Sequence, residues 1–324
     1  MVNDRPVAWR RCEGFSLLEI LLAAAILMMI LVLFLNMISG TSTVTRRAGD
    51  TISSFQEART AFDVLTRNLS QATLSPIWDY DNLSQPTKYR RETGLHFLIQ
   101  KAGGSYSGTP GTGQVIYFQA PLGVASNQTS FRGMANLLNA CGYFIIYGND
   151  AGPFGLETNY GYRLMQAVEP SEDLKVYGGN NVSGTDWVAQ LATLGVPLAR
   201  NIVFMAAWPR KSPSEDPEGG QLSTDFTYNS RAGASSDPQP PTAHQLPPIV
   251  QITLVALDET SARRLCVNST PPAEIESIFS DLFRSSKTAD FDADLKQMEA
   301  RLADRNLNAR IFTAAVPLRE CKME

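Results

Sequence analysis

Phe15–Ser39 reads FSLLEILLAAAILMMILVLFLNMIS, 25 residues with a single charge, Glu19. A helix needs about 20 consecutive apolar residues to cross the hydrocarbon core of a bilayer, so this stretch is long enough to span one. A secretory signal peptide has a shorter apolar run, about 7–15 residues, followed by a small-x-small cleavage site. Here the run is longer and no good Ala-x-Ala site follows it. A core helix of a soluble protein would show a polar face, and this one has none. The stretch is expected to be a transmembrane helix, residues 15–39.

Glu19 is the anomaly in that helix. A carboxylate at mid-bilayer costs about 2.5–3.5 kcal/mol on the most lenient scale, so such residues mark a functional pairing or else snorkel to the headgroups. Its own helix offers no charge partner, because the next charged residues are Arg46 and Arg47 beyond the membrane. Position alone does not separate the two readings.

The flanking residues do. Arg10-Arg11-Cys12-Glu13-Gly14 followed by Phe15-Ser16-Leu17-Leu18-Glu19 resembles the type IV prepilin cleavage and methylation motif: a basic leader, then G, F, Ser or Thr, L, any residue, E, and an apolar helix. In that family a prepilin peptidase of the inner membrane cuts after the glycine and methylates the new N-terminus. The resemblance implies a leader of residues 1–14, cleavage between Gly14 and Phe15, N-methylation at Phe15, and a role for Glu19 in subunit assembly. The residue types suit that chemistry. Gly14 has no side chain to keep a protease from the backbone. Cleavage creates an ammonium at Phe15, the cation that Glu19 lacks, and a neighbouring subunit's terminus could supply it within the membrane. Arg5, Arg10 and Arg11 favour a cytosolic leader, but Arg46 and Arg47 weaken the asymmetry, so orientation rests on the motif.

Past the membrane, Ile52, Phe55, Phe62, Leu65 and Leu69 form an amphipathic stripe of helical period, which Pro76 ends. Residues 40–75 are therefore read as an amphipathic extension of the same helix. Beyond it, Leu95–Ile99, Val115–Gln119, Tyr143–Tyr147, Tyr162–Val168, Ile202–Ala207 and Ile249–Leu257 are short apolar or alternating runs between Gly, Pro and Asn clusters, the signature of strands. Gly103–Gly113 reads as a flexible loop. Residues 209–248, rich in Pro, Ser, Asp and Gly, read as a long exposed insertion. Helices are expected at Ala273–Phe283 and Phe291–Arg305, and a last strand at Ala309–Val316. The fold class is α+β: a long N-terminal transmembrane and amphipathic helix, a pilin-like spine, packed on an antiparallel β-sheet head of residues 76–324. The large head resembles the J-type minor pseudopilins of type II secretion or the W-type minor pilins. More narrowly, Tyr162-Arg163-Leu164-Met165 and Val250–Glu259 resemble the C component of the Verrucomicrobium/Chthoniobacter-type prepilin cassettes.

Bulk composition adds exclusions. A formal net charge of −4 gives no reason to expect nucleic-acid binding. His96 and His244 have no Cys or carboxylate at metal-ligand spacing, and both are read as surface or strand-face residues. Asp290–Asp294 looks like the start of a calcium loop, but Leu295 and Arg301 stand where Gly and Glu are needed, so the acidic residues are read as favouring a helix start. No cofactor is expected and the chain is not read as an enzyme. Of the four cysteines, Cys12 leaves with the leader. Cys266 and Cys321 each follow a strand in the oxidising compartment and are the expected disulfide pair. Two functions remain: a filament subunit whose partners are the prepilin peptidase, other pilin-like subunits and the inner membrane, or an anchored binding module whose head recognises an exported substrate or surface ligand.

Overall fold

The computed structural model describes residues 16–103, 112–127, 129–131, 134, 136–151, 158–177 and 186–320. The leader, Gly14, Phe15, Cys321 and most of the Gly103–Gly113 loop lie outside the described residues. The chain divides into two compact units, Met1–Gly49 and Asp50–Glu324. Helix α1, Leu17–Leu69, contributes to both.

In the first unit, Leu17–Ile38 is a 22-residue apolar stretch with a mean hydropathy of 2.9 and no buried side chain. Leu, Met and Ala are strong helix formers, and no Pro or Gly interrupts them before Gly40, so the run is helical throughout. In the second unit, α1 buries Ala58, Ala61, Phe62, Leu65 and Leu69. The stripe is real, but its membership differs from the expectation. Ile52 is 58% exposed, and the two alanines overlooked in the sequence let the helix approach the head closely. Helix α1 ends at Leu69, ahead of the expected limit near Pro76. Ser70 Oγ and Gln71 Nε2 both donate to the Arg67 carbonyl, and Thr73 then bridges to Gln119.

The second unit holds three antiparallel sheets and four further helices among the described residues. Strands β1 (Ile77–Tyr80) and β2 (Tyr89–Glu92) form a hairpin. Strands β3 (Leu98–Lys101), β4 (Gln114–Ala120), β5 (Asn139–Ala151), β6 (Thr158–Glu169), β7 (Val196–Arg200) and β9 (Tyr228–Asn229) make a six-stranded sheet in the order β7-β6-β5-β4-β3-β9. Five of these, β3 to β7, are consecutive in the chain and each pairs with the next, although α2 lies in the connection between β6 and β7. Strands β8 (Ile202–Arg210), β10 (Ile249–Leu257) and β11 (Ala309–Pro317) make the third sheet, in the order β11-β10-β8. Helices α2 (Asp186–Thr193), α3 (Glu259–Leu265), α4 (Ala273–Phe279) and α5 (Thr288–Asp304) complete it. The α+β class holds.

The core lies between the two larger sheets and α1. Phe62 of α1 meets Phe312 of β11 with ring centroids 5.8 Å apart. Strand β4 is buried along its whole length. Its Gln114 accepts from the Ala207 amide of β8 and donates to the Phe226 carbonyl at 2.6 Å, so one buried amide ties both sheets to the segment beyond β8. Gly142 faces Tyr117 across the ladder; a Cβ there would stand 2.6 Å from a ring carbon.

Residues 209–248 are not an exposed insertion. Phe226 is fully buried in an aromatic cluster with Trp208, Phe283 and Phe291, and Tyr228 is 4% exposed. Strand β9 pairs with β3, and the Tyr228 hydroxyl donates to the Gln245 carbonyl at 3.0 Å. The segment has few apolar residues, but Phe226, Tyr228, Ala243 and Leu246 face inward, and side chains such as Ser223 and Ser286 bond its backbone amides. The histidines are corrected likewise. His96 is fully buried: its Nδ1 accepts from Trp187 Nε1 at 3.3 Å and its Nε2 lies 2.8 Å from Asn229 Oδ1. His244 is 8% exposed, in a left-handed turn at φ 56. Asp290 lies in the first turn of α5, as the helix reading requires, although α5 starts three residues earlier than expected.

Candidate functional site

The first described residues form a closed hydrogen-bonded unit. The Ser16 hydroxyl accepts from the Glu19 backbone N–H at 3.2 Å, and the Ser16 backbone N–H donates to Glu19 Oε2 at 3.0 Å. The hydroxyl also donates to that carboxylate oxygen at 3.2 Å. The Ile20 N–H reaches the Ser16 carbonyl at 3.2 Å, the first bond of the helix. This is a capping box: cap and third residue each satisfy the other's orphan amide. The carboxylate also sits at the positive end of the helix dipole, where an anion is stabilised.

Glu19 therefore has a hydrogen-bonded partner at the start of its own helix, a neutral one where the sequence offers no charged one. Ser16 is the residue missed. The signal was available: a Ser three residues ahead of a Glu at the start of an apolar run is the sequence form of this cap. Of the other expected site residues, Gly14 and Phe15 immediately precede the cap and lie outside the described residues.

Farther along α1, polar contacts fix its second half to the head. Glu57 Oε1 accepts from the Arg200 amide at 2.9 Å, capping the edge strand β7, and Thr51 Oγ1 donates to Asp258 Oδ2 at 3.4 Å. Asp258 in turn caps α3 by accepting from the Ser261 amide at 2.9 Å. Asn68 Nδ2 and Gln166 Nε2 both donate to the Tyr143 hydroxyl, at 2.8 and 3.0 Å.

The cysteines are placed for packing. Cys141 and Cys266 are free, buried thiols. Burial pushes the Cys141 thiol up to about 12 and the Cys266 thiol up to about 11, which removes the thiolate needed for nucleophilic chemistry. The expected partner of Cys266, Cys321, lies outside the described residues. Among the described residues, no three His, Cys, Asp or Glu side chains gather where they could hold a metal ion.

One surface of the head stands apart. On the β1–β2 hairpin Trp78 is 66% and Tyr89 63% exposed, and Tyr80 stacks on Tyr89 with centroids 5.0 Å apart. Register puts Trp78 opposite Arg91 and Tyr80 opposite Tyr89, all four on one face. The Arg91 guanidinium lies 5.9 Å from the Trp78 ring centroid. The hairpin is held from β2: Gln239 Oε1 accepts from the Arg91 amide at 3.0 Å, its Nε2 donates to the Arg91 carbonyl at 2.9 Å, and Lys88 pairs with Asp237.

Comparison with known proteins agrees with the N-terminal geometry. The family described as the prokaryotic N-terminal methylation motif matches residues 9–35. That span contains Gly14, Phe15, Ser16 and Glu19 and most of the apolar run, so the N-terminus is of the prepilin type. No curated protein and no solved structure matches the chain.

Proposed function

We propose that the chain is a minor pilin-like subunit, cut by a prepilin peptidase between Gly14 and Phe15, methylated at Phe15 and assembled through Glu19 into a type IV pilus or type II secretion-like filament. The observation that carries this reading is the prepilin-type motif at the start of a 22-residue apolar helix that continues, as α1, into the core of a head domain. The head's size and its α+β build support the J-type pseudopilin or W-type minor pilin kind, with the cassette C component as the narrowest form. The leader is then cytosolic, and the head lies beyond the inner membrane. Intact-mass measurement and N-terminal sequencing of the protein from native membranes test the reading: residues 1–14 are expected to be absent and Phe15 to carry a methyl group. A mature chain that keeps Arg10 and Arg11 refutes it. Gly14→Val is expected to block processing, because a β-branched side chain stands where the peptidase needs bare backbone.

A second reading, an anchored binding module, has one specific observation in its favour. Trp78, Tyr80, Tyr89 and Arg91 are the residue types that dominate binding hot spots, and here they share one face of a braced hairpin.

A further inference from the structure

We infer that the outer edge of β1 is a docking site for an extended segment of a partner polypeptide, which adds to the β1–β2 hairpin as a third strand. The inference rests on the second reading above, that the hairpin is a working surface, and supplies its mode of recognition. In an antiparallel pair, residues directly opposite alternate between those that exchange backbone hydrogen bonds and those whose backbone groups point outward. The Asp81 N–H donates to the Lys88 carbonyl at 3.1 Å, so Asp79–Arg90 and Ile77–Glu92 are the other bonded pairs. Trp78, Tyr80, Tyr89 and Arg91 therefore turn their backbone groups away from the hairpin.

The two outer edges differ. That of β2 is closed: the Gln239 side-chain amide accepts from the Arg91 N–H and donates to the Arg91 carbonyl, as a neighbouring strand would. On β1 the Tyr80 N–H turns back to Asp79 Oδ1 at 2.7 Å. Among the described residues, no hydrogen bond reaches the Trp78 N–H, the Trp78 carbonyl or the Tyr80 carbonyl. Pro76, with no N–H to offer, bounds this open edge at one end. The open span is short, and its side chains define what fits. A strand laid beside it sets two residues next to the exposed Trp78 and Tyr80 rings, which favour apolar or aromatic neighbours. The residue between those two falls next to Asp79 on the other face, where a cation is favoured. The occupant is thus an extended segment that reads apolar–basic–apolar. A second copy of β1 fits poorly. Antiparallel self-pairing sets Asp79 opposite Asp79 or Asp81, like charges that repel, or else places Pro76 where a donor is needed.

The test is titration of the full-length chain in detergent with a synthetic peptide of about nine residues, valine alternating with threonine and lysine at the centre. Fluorescence anisotropy of a labelled peptide measures binding, and hydrogen exchange reports on the Trp78 amide, which should exchange about tenfold more slowly at saturation. Trp78→Ala removes a ring and is expected to weaken binding about fivefold. Trp78→Pro removes the same ring and the edge donor but no bond to β2, and should bind about tenfold more weakly than Trp78→Ala. A peptide N-methylated at the two valines beside the lysine makes the same test on the unaltered chain, and should also lose about tenfold. Glutamate in place of the lysine should cost about threefold. If Trp78→Pro equals Trp78→Ala and N-methylation costs nothing, strand addition is wrong and the hairpin remains a binding face. Equal binding by wild type, Trp78→Ala and Trp78→Pro removes the hairpin reading as well. No binding of the lysine peptide up to about 1 mM overturns the inference. So does self-association of the chain that Trp78→Pro abolishes, which would make a second copy the occupant.

Discussion

His244 shows how far one buried side chain departs from what its residue type suggests. Burial lowers its pKa, and the positive charges of Arg231 and Arg91 lower it further. Between its ordinary value of 6.5 and that lowered value, the unfolded chain binds a proton that the native chain refuses. Stability therefore rises with pH through this window and is lost on acidification. Glu169 and Asp294, whose carboxyls burial raises, work in the opposite sense, but they are shared by wild type and variant and so cancel in the comparison. His244→Asn removes the titrating group and suits the left-handed backbone at that position. Denaturant midpoints of the detergent-solubilised chain, compared at about pH 7.5 and about pH 5.5, are expected to fall more for wild type than for His244→Asn. Equal falls would mean that the imidazole is not held neutral. The Ser16–Glu19 pair belongs to the same scale: two short side chains decide where a helix of 53 residues starts.

At the scale of elements, the second half of α1 carries the sharpest prediction. Leu65 is fully buried and Ile52 is 58% exposed, although both fall on the stripe that periodicity alone defines. Leu65→Ala is expected to destabilise the head by about 2–5 kcal/mol through lost burial and the cavity left behind. Ile52→Ala, away from the core, is expected to stay within about 0.5 kcal/mol. Chemical denaturation of both variants measures the difference, and equal losses would put Ile52 in the core. The same helix shows what was legible in the sequence. Its apolar run and its stripe could be read because each repeats a single period over many residues. Strand β10 could be read to the residue, Ile249–Leu257, because it is apolar and bounded by Pro248 and Asp258. The β1–β2 hairpin and β9 were not legible, since Tyr-Arg-Arg-Glu and Tyr-Asn carry no alternation and are placed by partners distant in sequence. Residues 209–248 misled for a related reason: composition averages over a segment, while burial here depends on a few residues such as Phe226 and Tyr228. The site itself was legible as a motif, and the cap is written there too, as a Ser three residues ahead of a Glu, although its hydroxyl and amide carry no charge to mark them as partners of Glu19.

For the molecule as a whole, the question is whether Glu19 or the aromatic hairpin is the working part. The proposed filament subunit needs the carboxylate: on that reading the ammonium created at Phe15 pairs with Glu19 of a neighbouring chain, and each charge offsets the cost of holding the other out of water. An anchored binding module needs Trp78, Tyr80 and Tyr89 and tolerates any anchor that inserts. Glu19→Gln isolates the charge cleanly. It preserves side-chain size and the reciprocal bonds with Ser16, so leader cleavage and insertion should continue. Incorporation should fail, because an amide offers an ammonium no countercharge. Trp78→Ala combined with Tyr89→Ala isolates the hairpin; both rings are exposed, so the fold should persist. Crosslinking to partner pilins in native membranes, with leader loss scored on the same samples, is expected to fall sharply for Glu19→Gln and to hold for the hairpin variant. The converse pattern, full crosslinking without the Glu19 charge and loss of a bound partner without the aromatic rings, would make the helix a delivery anchor and the hairpin the functional surface.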